Sequence, residues 1–235
     1  MQIVAMGGGG FSMEPDNPLL DDYVLGLARR SRESSSRARV CFVPTASGDS
    51  ENYCLRFYDS FARRDCVPSH LPLFVRKPGN LRSFILGQDV IYVGGGNTVN
   101  LLAIWRAHGL DGILREALGA GAVLCGVSAG AICWFEAGVT DSFGPELAGL
   151  NNGLGFLSGS VCPHYDGESN RRPAYQKLVA EGLRPGYGVD DGCGLHFEGG
   201  RLKRIVASRP GARAYRVELV NGKSVETALE ADFLG

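Results

Sequence analysis

The chain has no long apolar run. No stretch approaches the ~18 residues that a membrane-crossing helix needs, which excludes a helical membrane protein. It has no excess of charge of either sign. The 24 basic and 25 acidic side chains leave a net charge of −1, so neither nucleic acid nor a membrane surface is expected as a partner. Met1 to Met6 carry no basic leader, so no secretory signal is expected. Cysteine is present without a pattern. The seven (41, 54, 66, 125, 133, 162 and 193) are odd in number and form no C-x-x-C, and several lie in apolar strand-like runs. That argues for reduced, buried thiols in the cytoplasm and against disulfides or a zinc site. The run Gly7 to Gly10 lacks both a following Gly-Lys-Ser/Thr and the G-x-G-x-x-G spacing, so it reads as a tight turn beside a cleft. No metal and no cofactor are expected.

What is present is an ordinary globular composition, 44% apolar and 21% charged over 235 residues. The length suits a single α/β domain over residues 1–235. Strand-like runs fall at 2–6, 39–43, 66–74, 89–93, 122–127 and 158–162. Helical patterns fall between them, from Asp16 or Asn17 to Arg30, through Tyr53, Phe57 and Phe61, from 97 to 108 and from 110 to 119. A further helix is expected over 172–181, a loop over the glycine-rich 138–157, and β-runs near 186–190, 193–197, 202–207 and 213–219. Alternating strands and helices predict a three-layer αβα sandwich around a mostly parallel sheet. Ligands bind such sheets at the carboxyl ends of the strands. Gly7–Gly10, Gly94–Thr98, Ser128 and His164 all follow predicted strands.

The most informative stretch runs from Ala122 to Phe135. An apolar strand leads into Gly126-Val127-Ser128-Ala129-Gly130, which continues as an apolar, alanine-rich helix. This is G-x-S-x-G between strand and helix, the nucleophile-elbow pattern. A serine nucleophile needs a base, an orienting acid and an oxyanion hole. Of the four histidines, His70 lies mid-strand and His108 ends a helix, and both read as structural. His196 alternates within a β-run, whereas His164 follows a strand end and a proline and is the preferred base. Asp190 and Asp191 follow the run 186–189. Neighbours on a strand point to opposite faces, so one of the two can address the histidine. The oxyanion donors are expected from the Ala129 N–H and one N–H of Gly94–Gly96.

Together Gly94-Gly-Gly-Asn-Thr98, Gly126-Val-Ser-Ala-Gly130, Pro163-His164-Tyr165 and Asp190-Asp191-Gly192 resemble the peptidase E family of serine dipeptidases, relatives of cyanophycinase, over roughly residues 38–200. The resemblance implies a class I glutamine-amidotransferase-like, flavodoxin-like α/β fold, with serine where the amidotransferases use cysteine. It implies Ser128 as nucleophile, His164 as base, and Asp191 where the dipeptidase has a glutamate. It implies Gly96 and Ala129 as oxyanion donors and Asn97 and Thr98 against the substrate. An arginine after the histidine receives the substrate's aspartyl side chain in that family. Arg171 is the first choice for this role here and Arg172 the second, after a loop shorter than the family's.

The reading that follows is a cytoplasmic serine exopeptidase acting on short peptides, with dipeptides beginning in aspartate as the expected substrates. A second copy of the chain is a further candidate partner. Three rivals stand beside it. One is a cyanophycinase-like hydrolase of β-aspartyl–arginine peptides. Another is an esterase of α/β-hydrolase order, which would need His196 as base. The third is a non-catalytic ligand binder on the same fold.

Overall fold

The computed structural model describes residues 1–30, 37–75 and 79–235. The strands are β1 (Gln2–Met6), β2 (Ala38–Val43), β3 (Cys66–His70), β4 (Val90–Val93), β5 (Val123–Val127), β6 (Phe135–Thr140), β7 (Ala148–Leu150), β8 (Leu157–Cys162), β9 (Gly186–Val189), β10 (Cys193–Glu198), β11 (Arg201–Ala207), β12 (Ala214–Val220), β13 (Lys223–Leu229) and β14 (Asp232–Phe233). The helices are α1 (Leu19–Arg30), α2 (Glu51–Phe61), α3 (Leu81–Leu86), α4 (Thr98–His108), α5 (Leu110–Gly119), α6 (Ala129–Ile132) and α7 (Arg171–Ala180). No helix among the described residues is long and apolar enough to cross a membrane.

The fold is α/β with two mixed sheets. The larger has the order β14-β11-β10-β1-β5-β4-β2-β3. Its centre is parallel, β1 with β5, β5 with β4, and β4 with β2, while β10 joins β1 antiparallel. Side-chain alternation along the central strands feeds both faces. Ile3 and Ala5 of β1 pack with Leu101, Trp105 and Leu114 of α4 and α5, while Val4 and Met6 pack with Leu20, Val24 and Phe57 of α1 and α2. Helices therefore cover both faces of a mostly but not wholly parallel sheet.

Residues 138–157, expected as loop, contain the end of β6 and all of β7, part of a second sheet ordered β13-β12-β9-β8-β6-β7. Glycine hides the period. A Cβ at Gly138 would lie 2.7 Å from an Ile132 methyl and 2.9 Å from the Val161 carbonyl, so this strand needs a residue without a side chain. The helix expected through Phe135 stops at Ile132. Phe135 instead opens β6 opposite Leu157, and tertiary pairing of an aromatic β-former overrides the alanine-rich helical pattern. The third strand ends at His70 rather than 74. The strands β13 and β14 extend the β-rich last third beyond the runs expected there.

Candidate active site

Ser128 sits at the carboxyl end of the buried strand β5 with φ 56° and ψ −114°, in the left-handed region that non-glycine residues avoid. The flanking glycines make the turn possible. A Cβ at Gly126 would lie 2.2 Å from the Gly130 carbonyl oxygen, and one at Gly130 would lie 2.3 Å from the Val93 carbonyl oxygen. Because α6 is a single turn, it offers free N–H groups at its start rather than a long helix dipole.

The backbone donors near Ser128 can be accounted for one by one. In the glycine run after β4, Gly94 donates to the Val43 carbonyl at 3.2 Å and Asn97 to the Ala46 carbonyl at 2.8 Å. Gly95 donates to the Tyr53 hydroxyl at 3.2 Å. The N–H groups of Gly96 and Ala129 have no partner among the described residues. The two runs are adjacent, since a Cβ at Gly95 would lie 3.3 Å from the Ser128 Cβ.

His164 follows β8 and Pro163 and also has positive φ, 54°. Its N–H donates to the Gly7 carbonyl at 3.3 Å, and its Nδ1 lies 2.6 Å from Asp191 Oδ1. The Gly7–Gly10 run therefore serves the histidine and its carboxylate. A Cβ at Gly8 would be 2.0 Å from Asp191 Oδ1, and one at Gly167 would be 2.1 Å from Oδ2. Two glycines thus form the slot that holds this carboxylate. Asp166 Oδ1 accepts the Asp191 N–H at 2.8 Å, and Arg209, paired with Asp166, donates to the Asp191 carbonyl at 2.7 Å. Asp190 points the other way and is buried, with Oδ2 accepting the Arg213 N–H at 3.1 Å. Burial pushes its carboxyl up to about 6. Of the two candidate acids, Asp191 is the one that meets His164.

An open cleft of about 410 Å³ is lined by Gly96, Asn97, Ser128, Asp141, Ser142, His164, Glu168 and Arg171. Ser128 and His164 share it with no hydrogen bond between them among the described residues. Such contacts commonly tighten only when substrate binds. Asn97 lines the cleft as expected, but both ends of its side chain are engaged. Its Oδ1 caps α4 by accepting the Asn100 N–H at 2.8 Å, and its Nδ2 donates to the Ser142 carbonyl at 3.1 Å.

Thr98, expected against the substrate, is 1% exposed and lies beneath the cleft with its N–H on Ser142 Oγ. As the first residue of α4 it points into the core rather than along the capped end. Arg171 is 3% exposed and reaches the cleft. It is held by Glu168 at 2.7 Å, by the Val139 carbonyl at 3.3 Å and, more distantly, by Asp141 at 3.8 Å. Arg172 is not among the lining residues. It pairs with Glu226 and stacks over Tyr215. Consecutive helical residues point about a quarter-turn apart, so only one of the two can face the cleft. Sequence reasoning missed Asp141, Ser142 and Glu168. The expectation of a loop concealed the first two, and Glu168 carried a visible signal as a carboxylate three residues before Arg171.

The other histidines are placed elsewhere. His196 lies in β10, with Nδ1 2.8 Å from the Tyr23 hydroxyl and Nε2 3.1 Å from Gln2 Oε1. His70 pairs with the Tyr58 hydroxyl at 2.8 Å. The α/β-hydrolase order that required His196 thus has no base in this cleft. All seven cysteines are buried and none is in a disulfide, and burial holds the Cys125 thiol, three residues from Ser128, well above its ordinary range.

Comparison with known proteins gives the family and the fold. A Bacillus subtilis (strain 168) protein, "Uncharacterized peptidase YgaJ", is 57% identical over 235 residues, spanning 100% of this chain and 99% of its own. "Peptidase E" of Shewanella denitrificans is 30% identical over 156 residues, 63% of each chain. The crystal structure of a peptidase from an acI-B1 Actinobacterium superposes with a TM-score of 0.74 at 18% identity, covering 98% of this chain and 94% of the other, a likeness of fold. The family model of peptidase family S51 matches residues 3–205, and the chain belongs to that family.

Proposed function

We propose that the chain is a serine peptidase that hydrolyses short peptides through an acyl-enzyme on Ser128, with dipeptides beginning in aspartate as its preferred substrates. The observation that carries this reading is the shared cleft. A serine on a strained turn faces the same space as a histidine whose Nδ1 is held by a carboxylate, next to two backbone N–H groups that have no partner among the described residues. With Asp191 on Nδ1, His164 presents Nε2 as the base. It takes the Ser128 proton as the hydroxyl attacks the scissile carbonyl, and then protonates the leaving amine. The Gly96 and Ala129 N–H groups receive the oxyanion. Water, activated by His164, then releases the acyl group. The cleft volume lies at the small end of ligand sites and suits a short peptide. The all-reduced cysteines suit the cytoplasm.

Arg171 supports the acidic preference, because a guanidinium offers a carboxylate two parallel hydrogen bonds. Its existing bond to Glu168 favours a second reading. With Asp141 and Glu168 beside one arginine, the cleft also offers carboxylates to a cationic group, as a β-aspartyl–arginine peptide would carry. A hydrolysis screen over Asp-X, Glu-X, Asn-X and β-Asp-X dipeptides, β-Asp-Arg included, separates the two, with Ser128→Ala as control. Cleavage of Asp-X lost in the control supports the first reading. Preference for β-Asp-Arg selects the second, and turnover that survives Ser128→Ala removes both.

A further inference from the structure

Glu226 stands on β13, in the segment beyond residues 3–205 that the family model matches. Its carboxylate accepts from the Tyr165 hydroxyl at 2.6 Å, from Gln176 Nε2 at 3.0 Å and from the Arg172 guanidinium, whose Nε lies 3.2 Å away. Burial alone would raise this carboxyl. The hydrogen bonds from Tyr165, Arg172 and Gln176 outweigh burial and leave it below its ordinary value, so it is a charged acceptor.

What these bonds hold is the backbone at His164. A non-glycine residue stays at positive φ only where its surroundings over-determine it. On one side, the His164 N–H is held by Gly7. On the other, Tyr165 donates its N–H to the Val189 carbonyl at 3.1 Å. The buried Tyr165 ring lies against Gly188, where a Cβ would come within 2.7 Å of it, and packs on Tyr215 at 5.2 Å. The polar end of that ring is fixed by Glu226. The hairpin carrying Glu226 is itself anchored to the strand that leads into Asp191, because β13 pairs with β12 and β12 pairs with β9, with Tyr215 opposite Gly188. One hairpin therefore braces the segments that present both His164 and Asp191.

We infer that Glu226 is a positioning residue for catalysis, which through the Tyr165 hydroxyl keeps His164 at its positive φ and so on Asp191 and in the cleft. The assignment rests on the Ser128 reading above. It also gives Arg172 a role away from substrate, as a second donor on the same brace.

The test uses the full chain with Glu226→Gln, Tyr165→Phe and the double variant. It measures kcat and KM on the best dipeptide of the screen, the rate of Ser128 trapping by a fluorophosphonate, and Tm. Tyr165→Phe removes one hydroxyl and keeps the ring packing, so it decides the matter even if Glu226→Gln does not fold. Each single variant should lose roughly tenfold or more in kcat and in trapping rate, with KM within about twofold, because the base is displaced and the substrate contacts are not. The double variant should be no slower than the slower single, because both changes act on the Tyr165–Glu226 contact. A lowered Tm with kcat and trapping at wild-type level would reduce Glu226 to a structural residue and overturn the assignment. So would losses that multiply in the double variant. Wild-type protein that is not trapped at Ser128 would instead refute the serine reading, and the positioning role would fall with it. Normal wild-type trapping unchanged in Tyr165→Phe refutes the positioning role alone.

Discussion

Replacing Gly8 by alanine would displace the Asp191 carboxylate without altering any group that takes part in the chemistry. The added Cβ would lie 2.0 Å from Asp191 Oδ1 and 2.9 Å from both Asp191 Cγ and the Met13 sulfur. The carboxylate must retreat by about 1 Å to restore van der Waals contact. It cannot turn away freely, because Gly167 closes the far side, where a Cβ would lie 2.1 Å from Oδ2. The bond it gives up is the 2.6 Å contact with His164 Nδ1. A misplacement of ~1 Å in a catalytic array costs roughly 10²-fold, and complete loss of a triad carboxylate costs roughly 10⁴-fold. The kcat of Gly8→Ala should therefore fall between these limits while KM holds, since no cleft-lining residue changes. Gly8 is not among the positive-φ residues, so alanine adds no backbone strain there. The assay is steady-state hydrolysis of the best dipeptide, with Tm measured in parallel, for Gly8→Ala, Asp191→Asn and the double variant. The double should match Asp191→Asn alone, because both act through one carboxylate. A folded Gly8→Ala variant with wild-type kcat would refute the argument, as would a double variant slower than Asp191→Asn by the full Gly8→Ala factor.

Asp191→Asn should cost roughly 10⁴-fold in kcat and Asp190→Asn less than about tenfold, since only the former meets His164, and the reverse ranking in the same assay would reject the choice of acid. Cys125→Ser should keep its activity, because that thiol is fully buried in β5 and held protonated; abolished turnover in a folded variant would reopen a thiol mechanism. Gly26→Ala, inside α1 with nothing within 4 Å of the new Cβ, should raise stability by about 0.5–1 kcal/mol in a urea melt, and a loss would contradict the packing at α1. Asp21 is fully buried, with Oδ2 accepting the Phe11 N–H at 2.9 Å, and burial raises its carboxyl from 3.8 to about 6. The folded state thus binds its proton more tightly than the unfolded chain does. Its contribution is complete below pH ~4 and is lost as pH rises through about 6, a loss of roughly 3 kcal/mol. Asp21→Asn should flatten urea-melt stability over that window, and an unchanged slope would refute the assignment.

The elements legible in the sequence are those whose signal is local. Ser128 is marked by two glycines whose absent side chains are needed within 2.3 Å of backbone, and His164 by a strand end and a proline, so steric demands on neighbouring residues reveal both. The slot for Asp191 was not legible. Gly8 and Gly167 lie far from it in the chain, and only the fold shows that they face one carboxylate. Glu226 makes the same point more strongly. The segment Lys223 to Leu229 is mostly polar or half-exposed on both faces, so neither a period of two nor an apolar stripe picks it out. Its half-buried carboxylate is of a residue type that composition assigns to the surface. What places Glu226 under the site is two successive strand pairings to β9, and a pairing register is a property of two segments that cannot be read from either alone. Arg171 and Arg172 show where the division falls. The pair is visible at once, but which member reaches the cleft depends on the phase of α7 against the hairpin. That phase is set by Glu226 holding Arg172 and by Glu168 holding Arg171. The candidate nucleophile and base are written in short motifs, whereas the groups that hold them in place are supplied by distant residues that packing brings together.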